Sequence, residues 1–307
     1  MKKGLPDGNG VLREYEPFAA VDCIVTDLDG TLTVGSTPVL QQIQNKILHL
    51  RKLGVFTTIA TGRTYAGARR LIDSLNIDNG TPIAIYNGAV LIEHNSDNLI
   101  AICTIPYYTV EKLLEIIGKD GAGIYIYTFN LEIQDFFSLL NQEHIVEKVY
   151  YTGNRRVQFD VNGMPIRPFE EGKLSNEKIV SILLQRDELD KDIYDYIIHF
   201  LEADATVTYT DSGSGFVEIK AILYNKGVII SELKKSQRMM KRSANTILAI
   251  GDNDNDVDLL KAADISVAVA NASMSAIKCA DYICKNENAK GFLDMLTVIE
   301  NAKRFFK

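Results

Sequence analysis

One stretch constrains the fold of this 307-residue chain more than any other, an apolar, β-branched run that ends in two aspartates. Residues 21–26 predict a buried strand, and Asp27, Asp29 and Gly30 come after it. Such a strand places negative charge at the rim of a sheet, where open α/β sheets bind ligands. Two carboxylates this close repel each other unless a cation lies between them, and Mg²⁺ is the usual hard cation beside phosphate. A turn rich in Asp and Gly that closes a hairpin is the simpler alternative.

The segments that follow alternate between helical and strand patterns. Helices are predicted at residues 38–53 and 66–75, and strands at residues 55–60 and 82–86. This β-α-β-α-β order implies a parallel sheet with right-handed crossovers.

The pattern changes between residues 89 and 215, where hairpin-like strands are mixed with helices, one of them predicted at about residues 131–142. A return strand at residues 216–219 and buried strands at residues 246–250 and 265–269 then resume the first pattern. The predicted organisation is a core of residues 18–88 and 216–307, an inserted α+β module of residues 89–215, and a loose N-terminal leader of residues 1–17.

A second acid cluster follows the strand at residues 246–250 and contains Asp252, Asn255 and Asp256. Its alternating acids resemble an EF-hand loop, but the positions that need Gly and Glu hold Val257 and Ala263. A helix N-terminus favours one or two acids through its dipole, which is fewer oxygen-bearing side chains than this cluster has. If the two acid clusters meet, they form an oxygen-only pocket suited to octahedral Mg²⁺.

Between the two acid clusters, other polar residues stand where predicted helices begin. Thr61 and Gly62 stand before a predicted helix, where a hydroxyl and free backbone N–H groups bind phosphate. Lys226 opens another predicted helix and offers a positive charge for the same phosphate. Each feature alone is common, so the prediction depends on their order within the β-α pattern.

These residues predict phosphoryl transfer through a covalent intermediate. Asp27 attacks phosphorus and forms an aspartyl-phosphate, and Asp29 protonates the leaving oxygen and then activates water. Mg²⁺ and Lys226 stabilise the charge on the transferring group.

The second acid cluster completes the predicted metal site. Asp252 is a ligand of Mg²⁺, together with Asp27. Asp256 holds a metal-bound water or a ligand, and Asn255 positions its neighbours around the site.

Five short motifs occur in order and together resemble one known family. They are Asp27-Leu-Asp-Gly-Thr-Leu32, Thr61-Gly-Arg63, Asn87-Gly-Ala89, Asn225-Lys-Gly227 and Gly251-Asp-x-x-Asn-Asp256. The ordered set resembles the haloacid dehalogenase superfamily, specifically its Cof-type (subclass IIB) phosphatases. The resemblance covers nearly the whole chain beyond about residue 20.

The resemblance implies an α/β fold, with a Rossmann-like parallel sheet core and a mobile, inserted α+β cap that selects the substrate. It implies Mg²⁺-dependent hydrolysis of a phosphate ester. It also implies that Asp29 binds the metal through its backbone carbonyl, and that Arg63 and Asn87 lie near the substrate or the cap hinge.

Charge and cysteine content exclude some classes of protein. A net charge of -7 and a pI near 5.3 argue against a general binder of nucleic acid or of membrane surfaces. The four cysteines form no CxxC pair, which favours reduced thiols and a cytoplasmic location. The sequence says nothing about the oligomeric state.

The leading hypothesis is a phosphatase that acts on a small phosphorylated metabolite, such as a sugar phosphate or a phosphorylated cofactor. A sugar phosphomutase is the alternative within the enzyme class, and Asp29 suits both. A non-catalytic sensor of phosphorylated metabolites is the alternative outside it, although every expected catalytic position is filled.

Overall fold

The computed structural model describes residues 3–6, 12–34, 37–96, 98–118, 121–133, 143–153, 155, 157–160, 163–170, 172–211, 215–236 and 245–306. Its contacts divide the chain into two compact units. The first unit comprises Met1–Gly62, Ala68–Ser96 and Asn225–Lys307, and the second comprises Arg63–Gly67 and Asp97–Tyr224.

The α-helices within the described ranges are α1 (Leu12–Ala19), α2 (Gln41–Lys52), α3 (Tyr65–Ser74), α4 (Tyr107–Ile117), α5 (Lys191–Ala203), α6 (Val228–Ser236), α7 (Val257–Ala262), α8 (Met274–Cys279) and α9 (Asn288–Phe305). Every one of these helices is too short or too polar to span a bilayer.

The strands of the same ranges are β1 (Lys3–Gly4), β2 (Cys23–Thr26), β3 (Phe56–Ile59), β4 (Pro82–Ile85), β5 (Val90–Glu93), β6 (Leu99–Ile102), β7 (Ile124–Ile133), β8 (Glu143–Thr152), β9 (Ile166–Pro168), β10 (Ile179–Gln185), β11 (Val207–Asp211), β12 (Phe216–Ala221), β13 (Ile247–Gly251), β14 (Ile265–Ala268) and β15 (Tyr282–Ile283).

The first unit is built on a parallel sheet with the strand order β1-β15-β14-β13-β2-β3. Strands β2 and β13 are neighbours, with Thr26 opposite Ile250. The backbone N–H of Asp27 continues this pairing and donates to the Ile250 carbonyl at 3.1 Å. The two segments that follow these strands therefore leave the sheet side by side at its carboxyl edge.

Strand β4 continues the parallel order beyond β3. Ala60 forms an isolated parallel bridge with Ala84, and the Thr61 N–H donates to the Ala84 carbonyl at 3.0 Å. Strand β5 then returns antiparallel to β4. Thr61 and the residues after β4 are thereby brought to the same edge of the sheet as the acid-bearing segments.

Apolar residues at helical spacing attach the helices of this unit to its core. Helix α2 buries Ile43, Ile47 and Leu50, and α9 buries a longer stripe that includes Phe292 and Ile299. Helix α9 packs against α1 and α2, and α7 packs against α6 and α8.

The second unit is built on a different sheet, with the order β11-β12-β10-β7-β8-β9. Its strands are antiparallel except for the last pair, β8 and β9. One face of this sheet packs with α4 and α5 around buried residues such as Leu113, Ile126 and Ile197. The predicted fold class, a parallel sheet core with an inserted α+β module, is confirmed.

Residues 216–219 form a strand, but the prediction that this strand returns to the core sheet is wrong. These residues lie in β12, which pairs with β10 and β11 in the sheet of the second unit. The second unit therefore continues to Tyr224, where the sequence predicted an end at residue 215, and the first unit continues to Ser96 instead of residue 88. Burial alternates along β12, whereas β2, β13 and β14 of the parallel sheet are buried at every position. An alternating pattern is typical of antiparallel sheets with one solvated face, which is the kind of sheet that β12 belongs to.

The helix predicted at residues 131–142 is wrong for its first three residues. Strand β7 extends through Ile133, because β8 pairs with it to the end, with Glu132 opposite His144. Residues 134–142 of that prediction lie outside the described residues.

The loose leader predicted at residues 1–17 is also wrong where the structure describes it. Strand β1 pairs with β15, and α1 buries Tyr15 and Phe18. Tyr15 packs edge-on against Phe305, with ring centroids 5.4 Å apart. These partners lie at the far end of the chain, so no local pattern indicates them.

Candidate active site

Three buried or half-buried carboxylates converge at the carboxyl edge of the parallel sheet. Asp27 follows β2, and Asp252 and Asp256 follow β13. One oxygen from each of the three side chains lies within 4.8 Å of the others. The two acid clusters, which are remote in sequence, therefore meet.

Lys226 joins two of these carboxylates. Its Nζ donates to Oδ1 of Asp27 at 2.6 Å and to Oδ1 of Asp256 at 2.7 Å. All three side chains are almost completely enclosed, with exposed fractions of 1% for Lys226, 3% for Asp27 and 0% for Asp256. The sequence order gives no hint of this double ion pair, because Lys226 is 199 residues from Asp27.

The second oxygen of Asp256 holds the loop that carries Asp252. Its Oδ2 accepts the backbone N–H groups of Asp252 at 2.9 Å and Asn253 at 3.1 Å. Gly251 is needed here, because a Cβ at that position would lie 2.6 Å from the Asp256 side chain. Asp256 thus organises both Lys226 and the loop in the geometry described.

Burial dominates the electrostatics of the cluster. Desolvation raises the pKa of Asp27 well above its usual range, although the attraction of Lys226 opposes the change. Desolvation likewise raises the pKa of Asp252 to about 6, against the hydrogen bond from Thr31. For Lys226 the net effect has the opposite cause. Burial lowers its pKa, but the attraction and hydrogen bonds of Asp256 and Asp27 together outweigh burial, so the pKa is raised and the side chain stays an ammonium.

The segment after β2 forms a cradle for Asp252. Thr31 Oγ1 donates to Asp252 Oδ1 at 2.8 Å. Gly30 has a φ of +84°, and a Cβ at this position would collide with the Asp252 carboxylate. Thr31 stands inside the first motif, but the sequence alone did not indicate this role.

The donor set fits a hard divalent cation. Three carboxylates face one ammonium, so the fully ionised cluster has an excess of negative charge. Burial is the main cause of the raised pKa values of Asp27 and Asp252, and the negative charge of Asp256 raises both pKa values further. All-oxygen ligands with closely placed carboxylates are the set that Mg²⁺ prefers.

Asp29 differs from the other acids, because its side chain is exposed and stands outside the three-carboxylate cluster. The Gly30 N–H, which shares a peptide group with the Asp29 carbonyl, donates to Thr33 at 2.8 Å. This bond fixes the orientation of that carbonyl. The role of Asp29 as a backbone metal ligand stays a prediction.

A second group of predicted residues is connected by hydrogen bonds. The Asn87 N–H donates to the Thr61 carbonyl at 2.9 Å, and Asn255 Nδ2 donates to Asn87 Oδ1 at 3.0 Å. A Cβ at Gly62 would lie 3.0 Å from the Asn87 amide, so this glycine allows a close approach. Thr61 and Asn87 are thereby tied to the loop of Asp252 through Asn255.

Arg63 follows Gly62 in the third position of the Thr61-Gly-Arg63 motif. Contacts assign it to the second unit, and its Nη1 donates to the Gly67 carbonyl at 3.2 Å. Its predicted position near the substrate is untested.

Comparison with known proteins identifies the family. A family model described as haloacid dehalogenase-like hydrolase matches residues 24–296. The chain therefore belongs to the haloacid dehalogenase-like hydrolases. The family prediction is confirmed, and with it the prediction of an enzyme of the phosphatase type.

The individual relatives have low sequence identity to this chain, but they match it over most of its length. The chain is similar to the 5-amino-6-(5-phospho-D-ribitylamino)uracil phosphatase of Bacillus subtilis, at 22% identity, with 86% of this chain and 89% of the relative covered. It is also similar in fold to a solved haloacid dehalogenase-like hydrolase from Bacteroides thetaiotaomicron, with a TM-score of 0.68, 23% identity and coverage of 93% and 99%. A solved subclass IIB sugar phosphatase has a TM-score of 0.65 at 18% identity, with 91% of this chain and 98% of that chain covered.

Proposed function

We propose that this chain is a Mg²⁺-dependent phosphatase that hydrolyses a small phosphorylated metabolite through an aspartyl-phosphate on Asp27. The observation that carries the proposal is the convergence of Asp27, Asp252 and Asp256 around Lys226. Family membership supports the same chemistry.

The metal would be held by Asp27, Asp252 and the backbone carbonyl of Asp29, with Asp256 close enough to hold a bound water. When bound, Mg²⁺ neutralises phosphate charge and lets an anionic carboxylate approach an anionic substrate.

Asp27 is the nucleophile in this proposal. One carboxylate oxygen forms a bond to phosphorus while the bond from phosphorus to the ester oxygen breaks. Asp29 gives its proton to that leaving oxygen, and the exposed side chain leaves room for an alcohol to depart. Asp29 then takes a proton from water, which attacks phosphorus and releases inorganic phosphate and free Asp27.

Lys226 keeps the nucleophile in place. Its bond to Asp27 Oδ1 fixes one oxygen and leaves the other to react. Its charge also offsets the negative charge that accumulates on the transferring group. The Thr61 hydroxyl and the Gly62 N–H bind the phosphate, and Asn87 and Arg63 contact the remainder of the substrate.

A sugar phosphate or a phosphorylated cofactor is the proposed substrate class. The relatives named above include a sugar phosphatase and a phosphatase of a ribitylamino-uracil, so their names support the class without selecting a member. The second unit is proposed to select the substrate as a cap. A cytoplasmic location stays a prediction.

A screen of phosphorylated metabolites tests the proposal, with release of inorganic phosphate as the readout. We expect turnover of at least one member at about 1 s⁻¹ or faster. Isomerised product without phosphate release would indicate a phosphomutase. Turnover below about 10⁻² s⁻¹ on every compound, with tight binding of one, would indicate a sensor.

Removal of the metal should abolish hydrolysis of p-nitrophenyl phosphate. A chelator is expected to stop turnover and added Mg²⁺ to restore it, because Asp27 and the phosphate repel each other without a cation. In Asp252→Asn the Mg²⁺ concentration for half-maximal activity should rise at least about 10-fold, since one ligand charge is lost. Full activity in the presence of chelator would contradict the proposal.

Gly30→Ala should lose activity. A matched substitution at Gly54 separates the contact with Asp252 from the effect of the left-handed backbone conformation. Gly30 and Gly54 both have left-handed φ angles, +84° and +87°, but a Cβ at Gly54 meets nothing within 4 Å. We expect each alanine to lower the free energy of unfolding by about 1–2 kcal/mol. Only Gly30→Ala should also lower kcat/KM, by about 100-fold, because its Cβ displaces the Asp252 carboxylate. Equal activities of the two variants would show that the cradle around Asp252 has no role in turnover.

A further inference from the structure

One loop of the first unit contacts both acid-bearing segments and takes no part in the chemistry above. It comprises residues 269–273, between β14 and α8, and is called the bracing loop here. Residues 27–33 are called the first acid loop, and residues 251–256 the second acid loop.

Asn271 connects the bracing loop to the first acid loop. Its Nδ2 donates to the Gly30 carbonyl at 3.0 Å. The Gly30 N–H is held by Thr33 at 2.8 Å, so the peptide groups on both sides of Gly30 are fixed. One of these groups contains the Asp29 carbonyl, and the other leads to Thr31, which bonds Asp252.

Asn271 is itself anchored on the longest helix of the described residues. Its Oδ1 accepts the backbone N–H of Asn288 at 2.8 Å, and its Nδ2 lies 3.2 Å from Asn288 Oδ1. Asn288 begins α9, which is 18 residues long and packed into the core. The amide that holds Gly30 therefore has a rigid support.

Backbone bonds connect the bracing loop to the second acid loop. The Val269 N–H donates to the Gly251 carbonyl at 3.3 Å, and the Ser273 N–H donates to the Asp252 carbonyl at 2.7 Å. Both carbonyls belong to the residues that bring Asp252 to the cluster.

Hydroxyl groups add side-chain bonds to the same loop. Ser273 Oγ donates to Asp254 Oδ1 at 2.7 Å, and Ser275 Oγ donates to the same oxygen. Ser273 Oγ also accepts the Ala276 N–H at 3.3 Å and so caps α8. Asp254 lies between Asp252 and Asp256 in sequence, so the serines hold the loop between two members of the cluster.

We propose that the bracing loop is a positioning element that sets the distance between the two acid loops and thereby the affinity for the metal. The proposal rests on the proposed function for the identity of the ligand, but its contacts are independent of that function. Mg²⁺ demands near-ideal octahedral geometry, so small displacements of its ligands weaken binding. Groups that orient metal ligands typically change metal affinity 10- to 100-fold when they are removed, which is roughly the scale we expect here.

Two substitutions that change no charge test the proposal in the whole 307-residue chain. Asn271→Ala removes the bond to Gly30, and the double variant Ser273→Ala with Ser275→Ala removes the bonds to Asp254. Met274→Ala is the control, because this apolar side chain in the same region is 66% exposed. Threonine at both serine positions keeps the hydroxyls and should restore wild-type behaviour.

The readouts are the Mg²⁺ dissociation constant from calorimetry and amide hydrogen exchange of the metal-free protein. We expect each test variant to bind Mg²⁺ about 10-fold more weakly. Exchange should be faster in the first acid loop for Asn271→Ala and in the second acid loop for the serine variant. The control and the threonine variant should match the wild type within about twofold.

Unchanged exchange in both acid loops, or unchanged Mg²⁺ affinity in both variants, would overturn the proposal. If the wild-type protein binds no Mg²⁺, the proposed function fails, and hydrogen exchange alone then decides whether the bracing loop positions the acids. If one variant does not fold, the other still gives the result for its own acid loop.

Discussion

Asp27→Asn is expected to lower kcat on p-nitrophenyl phosphate by about 10⁴-fold or more, because an amide cannot replace the attacking carboxylate. The protein should still fold. Lys226 keeps its 2.7 Å bond to Asp256, so we expect the free energy of unfolding to change by less than about 2 kcal/mol. Initial-rate assays at saturating Mg²⁺ measure kcat, and urea unfolding of the same preparation measures the free energy of unfolding.

Asp258→Asn is the matched control for that experiment. It makes the same chemical change on an exposed acid of α7, two residues beyond Asp256. Its activity should stay within about twofold of the wild type. If Asp27→Asn retained activity comparable to this control, Asp27 would not be the nucleophile.

Lys226→Met is expected to have the largest effect on stability. It removes the ammonium from two enclosed carboxylates, Asp27 and Asp256, and leaves their charges without that partner. Breaking a buried ion pair on one side costs about 3–5 kcal/mol, whereas the methionine itself fits a side chain of similar length. We expect a loss of that size in urea unfolding and, since the nucleophile is no longer held, loss of turnover.

Lys234→Met is the control, because Lys234 pairs with Asp264 at 2.8 Å on the surface, with side-chain exposures of 43% and 34%. Its loss should change stability by less than about 1 kcal/mol. Equal stabilities of the two methionine variants would mean that the buried ion pairs contribute nothing to the fold.

The strands of the core sheet could be predicted from the sequence because the signals for them are local. Strands β2, β3, β4 and β13 are short apolar runs, and each ends in polar residues at the carboxyl edge. The β-α alternation predicts parallel strands, so Asp27 and Asp252 are expected at the same edge of the sheet. Their meeting also requires that β2 and β13 are neighbours, which the structure shows and the alternation does not predict.

Other features depend on partners far along the chain. Strand β8 contains Glu143, His144 and Lys148, so it lacks an apolar alternation, and its pairing with β7 defines it. Helix α1 contains Pro17 and many charges, and its burial comes from contacts with the last helix. Such long-range packing overrides local propensity.

The candidate site also combines features that the local sequence predicts with features that depend on residues far apart in the chain. Its acids were predictable because they are spelled out in two motifs, but the burial of Lys226 and its bonds to both Asp27 and Asp256 were not. The cradle of Gly30 and Thr31 around Asp252 is also a three-dimensional result, since it joins residues 221 positions apart.

The most direct test of the central claim is a crystal structure of the protein with Mg²⁺ and beryllium fluoride, a mimic of a phosphoryl group bound to a carboxylate. We predict beryllium bonded to an oxygen of Asp27, with the metal in contact with both Asp27 and Asp252. Beryllium fluoride on a different side chain, or a metal that touches only one of these two aspartates, would contradict the shared cation site and the proposed nucleophile.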